Sequence, residues 1–228
     1  MRFKDVFSII GPAMVGPSSS HTAGAARIGR AARRLFGRQP ESAEIVLYGS
    51  FAATGSGHGT DSAIVGGLLD MDTDDPRLPS ALDLARSAGM HVSFRQGTGL
   101  APHPNTAKLL LTAEGSRLTM TGISIGGGNM EVAELNGFRV NMTGLYPALV
   151  ILHQDIPGMI AEVTQLLQRE RENIGSMTLD RRSRSGEALM VLELDTPPSG
   201  ALVPAIAALP GIRDITLFDM VSSRREDS

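Results

Sequence analysis

Apolar residues change their spacing along this chain, and each spacing predicts an element. Ile28, Ala31, Ala32 and Leu35 recur at helical intervals, so Ala23 to Phe36 reads as a helix with Arg27, Arg30, Arg33 and Arg34 on its outward side. Glu44 to Tyr48 reads as a strand, and Asp61 to Leu69 and Ala81 to Ser87 as helices. Four short strand-like runs follow, beginning near Met90, Lys108, Ser116 and Phe138, separated by glycine-rich turns. The pattern predicts a mixed α/β arrangement for this half and leaves its strand order open.

Past Gly144-Leu145-Tyr146-Pro147 the pattern becomes regular. Ala148 to His153 is an apolar run of strand length, and Asp155-Ile156-Pro157-Gly158 is a turn that opens a helix with Ile160, Val163, Leu166 and Leu167 as its stripe. Asn173 to Asp180 reads as a strand, Arg181 to Gly186 as a hairpin loop and Ala188 to Leu194 as the next strand. A helix capped within Thr196 to Ser199, with Val203, Ile206, Ala207 and Leu209 buried, precedes a last strand from Ile212 to Phe218. The order βαββαβ is ferredoxin-like. Charge shifts at the same boundary: 13 basic and 12 acidic residues precede Gly144, whereas 8 and 12 follow it. The expectation is an α/β first domain over 1–144 and an α+β ferredoxin-like domain over 145–228, ending in a short charged tail.

Composition removes several functions. A length of 228 residues, 42% hydrophobic and 20% charged, allows one large domain or two modest ones with packed cores. Lys and Arg number 21 against 24 Asp and Glu, a net charge of −3, and there is no Trp. Neither the basic footprint nor the stacking surface of a nucleic-acid binder is present. Cysteine is absent, which excludes disulfides, thiolate zinc sites, a cysteine nucleophile and any iron–sulfur cluster held by this chain's own thiolates. The uncharged stretch from Val6 to Ala26 is broken by Gly11-Pro12 and Gly16-Pro17 and turns polar at Ser18, so neither a membrane span nor a signal peptide fits. The expectation is a soluble cytoplasmic protein without membrane or nucleic-acid partners.

Two segments concentrate chemistry. Gly16-Pro17-Ser18-Ser19-Ser20-His21-Thr22-Ala23-Gly24 directly precedes a helix, where unpaired backbone N–H groups and the helix dipole favour an anion such as a carboxylate or phosphate. One hydroxyl would suffice as a cap; four hydroxyls and an imidazole exceed that need. Gly55-Ser56-Gly57-His58-Gly59-Thr60-Asp61 precedes a second helix and sets an imidazole near a carboxylate, a pair suited to acid–base work or metal ligation, or to simple capping by Asp61. His103-Pro104-Asn105 and Ser124-Ile125-Gly126-Gly127-Gly128-Asn129 carry weaker signals: the glycines either approach a ligand or form a tight turn. They do not spell a P-loop. His91 and His153 read as structural. Asp155 to Gly158, between a strand and a helix, has the form of a small amino-acid site and equally that of an ordinary turn.

Together, Gly11-Pro12, the Ser-Ser-Ser-His-Thr loop, the Gly55 to Asp61 segment and Ser124 to Gly128 resemble the β chain of bacterial iron–sulfur-dependent L-serine dehydratase. The second segment resembles an ACT domain through its Asp155-Pro157-Gly158 turn and element order. The first domain also resembles the allosteric substrate-binding domain of some phosphoglycerate dehydrogenases. The family implies a [4Fe-4S] cluster with one iron acting as a Lewis acid on the substrate hydroxyl. Without cysteine here, the resemblance puts that cluster on a separate α chain, with no metal bound by this one. It further implies L-serine as substrate, with pyruvate and ammonia as products. Ser18, Ser19, Ser20, Thr22, Gly59 and Thr60 would bind substrate; His21 and His58 would handle protons and Asp61 orient an imidazole or the substrate ammonium. Asp155, Pro157 and Gly158 would bind an effector amino acid. Two alternatives remain at this point: a non-catalytic regulatory subunit that binds an amino acid or hydroxy acid, and a metal-dependent hydrolase using His21, His58, Asp61 and His103.

Overall fold

A computed structural model describes residues 13–16, 18–54 and 59–220. The chain divides into two compact units, Met1–Gly137 and Phe138–Ser228.

In the first unit a π-helical turn, Ser19–Ala23, runs into helix α1, Gly24–Phe36. Strand β1, Ser42–Tyr48, follows, then the short helix α2, Gly49–Thr54, and helices α3, Thr60–Leu68, and α4, Ala81–Ser87. The strands β2, His91–Gln96, β3, Asn105–Ala113, β4, Ser116–Gly126, and β5, Asn129–Leu135, complete it. Within this unit the strands run β2-β1-β3-β4-β5 in one sheet. β1 and β2 are parallel, in register Ile45 to Phe94, and α2 to α4 form the crossover that a parallel pair requires. The β1–β3, β3–β4 and β4–β5 pairings are antiparallel. The result is the mixed α/β unit the pattern predicts, with two elements it does not predict, α2 and β5.

Helix α1 departs from its expected outward arginine face. Arg30 is 7% exposed; its Nε donates to Asp70 (3.1 Å) and its Nη1 to Asp72 (2.8 Å). Arg34 closes a bidentate pair on Asp70 at 2.9 and 2.8 Å. A guanidinium enters the interior only with charged acceptors that replace its water, and these two aspartates supply them. The apolar side, from Ala25 to Leu35, packs on α3 and on β4.

The second unit begins with β6, Phe138–Met142. Then come β7, Ala148–Gln154, α5, Met159–Glu170, β8, Ile174–Arg181, β9, Glu187–Leu194, α6, Leu202–Ala207, and β10, Ile212–Phe218. The antiparallel sheet runs β10-β7-β9-β8. With βαββαβ connectivity this is a ferredoxin-like fold. Leu149, Ile151, Met190 and Leu192 meet Val163 and Leu167 of α5 and Ile206 of α6 in one core. Two expected stripe residues, Ile160 and Ala207, are exposed, because Met159 and Ile206 take the inward positions one residue earlier. On β9 both faces are buried, since β6 lies against β8 and β9; Glu193 is 7% exposed there and accepts from Thr143 N (2.9 Å) and Oγ1 (3.0 Å). No helix among the described residues is long and apolar enough to cross a membrane.

Candidate functional site

The Ser-Ser-Ser-His-Thr segment folds as the π-helical turn in front of α1. Ser18 is its cap: the backbone is extended (φ −135°, ψ 122°), its hydroxyl accepts from His21 N (3.2 Å), and its carbonyl accepts from Thr22 N (2.8 Å). The turn closes when Gly24 N donates to the Ser19 carbonyl. Single π turns are uncommon and recur at functional sites. One of the four hydroxyls therefore meets the capping need. The chain entering the turn is tied down by Val15 N on the Thr73 carbonyl (2.9 Å) and Thr73 Oγ1 on the Ala13 carbonyl (2.8 Å).

His21 is held on three sides. Its Nδ1 lies 3.3 Å from Ser18 Oγ, its Nε2 lies 2.9 Å from Ser50 Oγ on α2, and its ring meets the buried Phe51 edge-on, centroids 5.4 Å apart at 66°. Thr22 is 5% exposed, and its Oγ1 has no protein partner. Gly16, at φ +132°, crosses directly over that hydroxyl: a Cβ there would stand 2.6 Å from Thr22 Oγ1. A buried hydroxyl without a partner is costly in a resting fold and is the kind of group a bound polar ligand satisfies.

The turn packs against α3 and β4. At the start of α3, Gly59 is left-handed (φ 69°), Thr60 is fully buried with Oγ1 also lacking a protein partner, and Asp61 accepts from Ser62 N (2.8 Å). His58 and the glycines at 55 and 57 lie outside the described residues. On β4, the fully buried Ser124 donates from Oγ to the Ser20 carbonyl (2.9 Å). Gly24 permits that approach, because a Cβ there would run into the Ser124 hydroxyl. Gly126, Gly127 and Gly128 have φ of 91°, 61° and 76° and form the β4–β5 turn, a conformation only glycine holds cheaply. Beyond that turn Asn129 accepts from Arg27 Nη1 (3.3 Å), one helical turn after the π segment. Burial lowers the Arg27 pKa, opposed by nearby Asp72, yet a guanidinium stays charged at any working pH and favours an anionic ligand.

Of the sequence candidates, the structure gathers Ser18, Ser19, Ser20, His21 and Thr22 in one turn, with helix α3, which Thr60 and Asp61 open, packed against it. Ser50, Phe51 and Ser124 join them as side chains that composition does not single out as partners of His21 or Ser20. The one local hint for Ser50 is Gly49 at the end of β1, whose positive φ of 51° bends the strand into α2. His103 stands apart from the imidazole of His21 in role: its Nδ1 accepts from Asn105 N (3.1 Å), stapling the entry to β3. Among the described residues no three His, Asp or Glu gather as metal ligands; His58, which the hydrolase alternative also uses, lies outside them.

In the second unit Asp155 is engaged. Its Oδ2 pairs with Arg181 Nη1 (3.0 Å) and accepts from Ser185 N (3.3 Å), while its own N donates to the Gly186 carbonyl (2.8 Å). Gly158, at φ 94°, opens α5, and Pro157 is exposed. Asp155→Ala is expected to cost about 1 kcal/mol, as a partly exposed ion pair does, and to abolish any amino-acid response of this unit. Melting curves and titration calorimetry with a panel of amino acids on the unsubstituted and variant chains check both; a response that survives the substitution removes Asp155 from the effector site.

The family model for serine dehydratase beta chain matches residues 3–86. The chain is 48% identical to the probable L-serine dehydratase β chain of Bacillus subtilis, over 95% of this chain and 98% of that protein. It is 36% identical to the L-serine dehydratase β chain of Peptoniphilus asaccharolyticus, over 88% of this chain and 91% of that one. A D-3-phosphoglycerate dehydrogenase of Synechocystis is 28% identical over 57% of this chain, which covers 24% of the enzyme. Near-complete matches at these identities to two dehydratase β chains, against a partial match to the dehydrogenase, decide the relationship: the chain belongs to the L-serine dehydratase β-chain family.

Proposed function

We propose that this chain works with a separate α chain to convert L-serine to pyruvate and ammonia, its π turn forming part of the active site. The observation that carries this reading is the extent of the match, 98% of the length of a dehydratase β chain, with the Ser-Ser-Ser-His-Thr segment folded around a buried hydroxyl that lacks a protein partner. The reaction requires loss of an α-proton and of the β-hydroxyl, neither easy unaided, so a positioned base and a group that stabilises the leaving hydroxyl must act together. In this reading Ser19, Ser20 and Thr22 bind the substrate carboxylate or hydroxyl, aided by the charge of Arg27. His21 handles a proton, with His58 as the second imidazole in that role. Asp61, Gly59 and Thr60 line the ammonium and carboxylate side, and the second unit acts as an ACT domain whose Asp155-Pro157-Gly158 turn takes an effector.

The [4Fe-4S] cluster of the family does not fit this chain's own residues. No cysteine is available, and no other set of ligands gathers among the described residues. The reading therefore assigns the cluster to the partner chain, and no step of this chain's chemistry runs through it. Purified alone, the chain is expected to leave L-serine unchanged; mixed anaerobically with a cysteine-bearing α chain, it should release pyruvate. Serine turnover by the isolated chain, or none by the mixture, overturns the reading. The partial match to phosphoglycerate dehydrogenase favours one rival, a non-catalytic regulatory subunit, for which the outcome would be an α chain that turns over serine by itself, with this chain only altering that turnover when it binds an amino acid or hydroxy acid.

A further inference from the structure

We infer that Ser50 is a positioning residue for His21, an inference that rests on the dehydratase reading above. The backbone that carries Ser50 is held at both of its polar groups. Its N donates to the Pro104 carbonyl (2.8 Å), its carbonyl accepts from Thr54 Oγ1 (2.8 Å), and the preceding Gly49 bridges to Asn105. Gly49 itself admits no side chain, since a Cβ there would stand 2.5 Å from the Pro104 oxygen. These contacts aim one group at the site, the hydroxyl, which meets His21 Nε2 at 2.9 Å across 29 positions of sequence. Ser18 holds Nδ1 at the longer distance of 3.3 Å, and the buried Phe51, next in sequence to Ser50, limits rotation of the ring.

A neutral imidazole carries one donor and one acceptor nitrogen. A serine hydroxyl can donate to or accept from either form, so Ser50, at the shorter distance, fixes the orientation of the ring at Nε2 rather than its tautomer. A base that must meet a substrate proton at one angle loses rate when its ring is free to tilt, because a misplacement of about 1 Å costs on the order of 10²-fold. Removing the hydroxyl should therefore act on turnover through His21, without removing any group assigned to substrate binding.

Two measurements test this. In the full chain labelled with ¹⁵N-histidine, Ser50→Ala is expected to displace the His21 ring-nitrogen signals, identified by their loss in His21→Ala, and Ser50→Thr to restore them. In the assembled enzyme Ser50→Ala should lower kcat on the order of 10²-fold with KM little changed and shift the pH profile of kcat; Ser50→Thr should recover most of the loss. Ring signals that stay in place in Ser50→Ala overturn the inference. So do displaced signals with kcat and its pH profile unchanged. An unsubstituted complex that fails to turn over serine overturns the dehydratase reading instead, and the ring signals then still decide whether Ser50 holds His21.

Discussion

Replacing His21 with alanine is expected to lower serine turnover by the assembled enzyme by about 10²–10⁴-fold, the range typical of a lost acid–base group, while the melting temperature barely moves. The small stability effect follows from the local structure. The cap of the π turn is the Ser18 hydroxyl on His21 N, a bond to the backbone that alanine retains. What disappears is the imidazole, with its contacts to Ser18 Oγ, Ser50 Oγ and Phe51. Turnover and unfolding midpoint should be measured on one preparation of the complex. Loss of both would make the imidazole a structural wedge that keeps α2 against the turn. Full turnover would take His21 out of the reaction and leave proton handling to His58.

The elements legible in the sequence are those whose burial has a local cause. Helix α5 buries apolar residues at the helical period, and β7 and β9 are near-continuous apolar runs of strand length, so βαββαβ can be read without knowing what packs on what. Helix α2, with six residues, is too short to show a period. β5 is hidden by charge: Glu131 and Glu134 break up its apolar run, and its register with β4 shifts at Thr121 and Gly122. Arg30 looked like a solvated residue because its two aspartates lie 40 and 42 positions away. The site divides in the same way. The density of hydroxyls from Ser18 to Thr22 marks the turn in one dimension, whereas the partners that orient it, Ser50 and Ser124, are 29 and 104 positions from the groups they hold. No spacing rule reaches that far.

Helix propensity and packing make opposite forecasts for Gly67→Ala, and packing should win. In an exposed helix interior, alanine in place of glycine stabilises by about 1 kcal/mol. Gly67 is not exposed: α1 and α3 touch backbone to backbone there. A Cβ at Gly67 would overlap the Ala26 carbonyl oxygen and stand 2.5 Å from Arg30 N, while one at Gly29 would overlap the Ile64 carbonyl oxygen. Backbone cannot swing aside as a side chain can, so the helices must separate, and overpacking of this kind costs about 1–3 kcal/mol or more. Gly66→Ala is the control on the same helix, because its Cβ would meet mainly the Leu78 methyl, the end of a flexible side chain. The expected order of melting temperature is unsubstituted, then Gly66→Ala, then Gly67→Ala, with about 2–4 °C lost per kcal/mol for a protein of this size. The displacement has a functional reading too. α1 follows directly from the π turn, and α3 begins at Thr60 and Asp61, so prying the helices apart moves both halves of the site. In the complex, Gly67→Ala should therefore lose serine turnover even at temperatures where circular dichroism shows it folded. A Gly67→Ala chain as stable and as active as the unsubstituted one would mean that the helices have room to part, and the close crossing would not be what sets the geometry of the site.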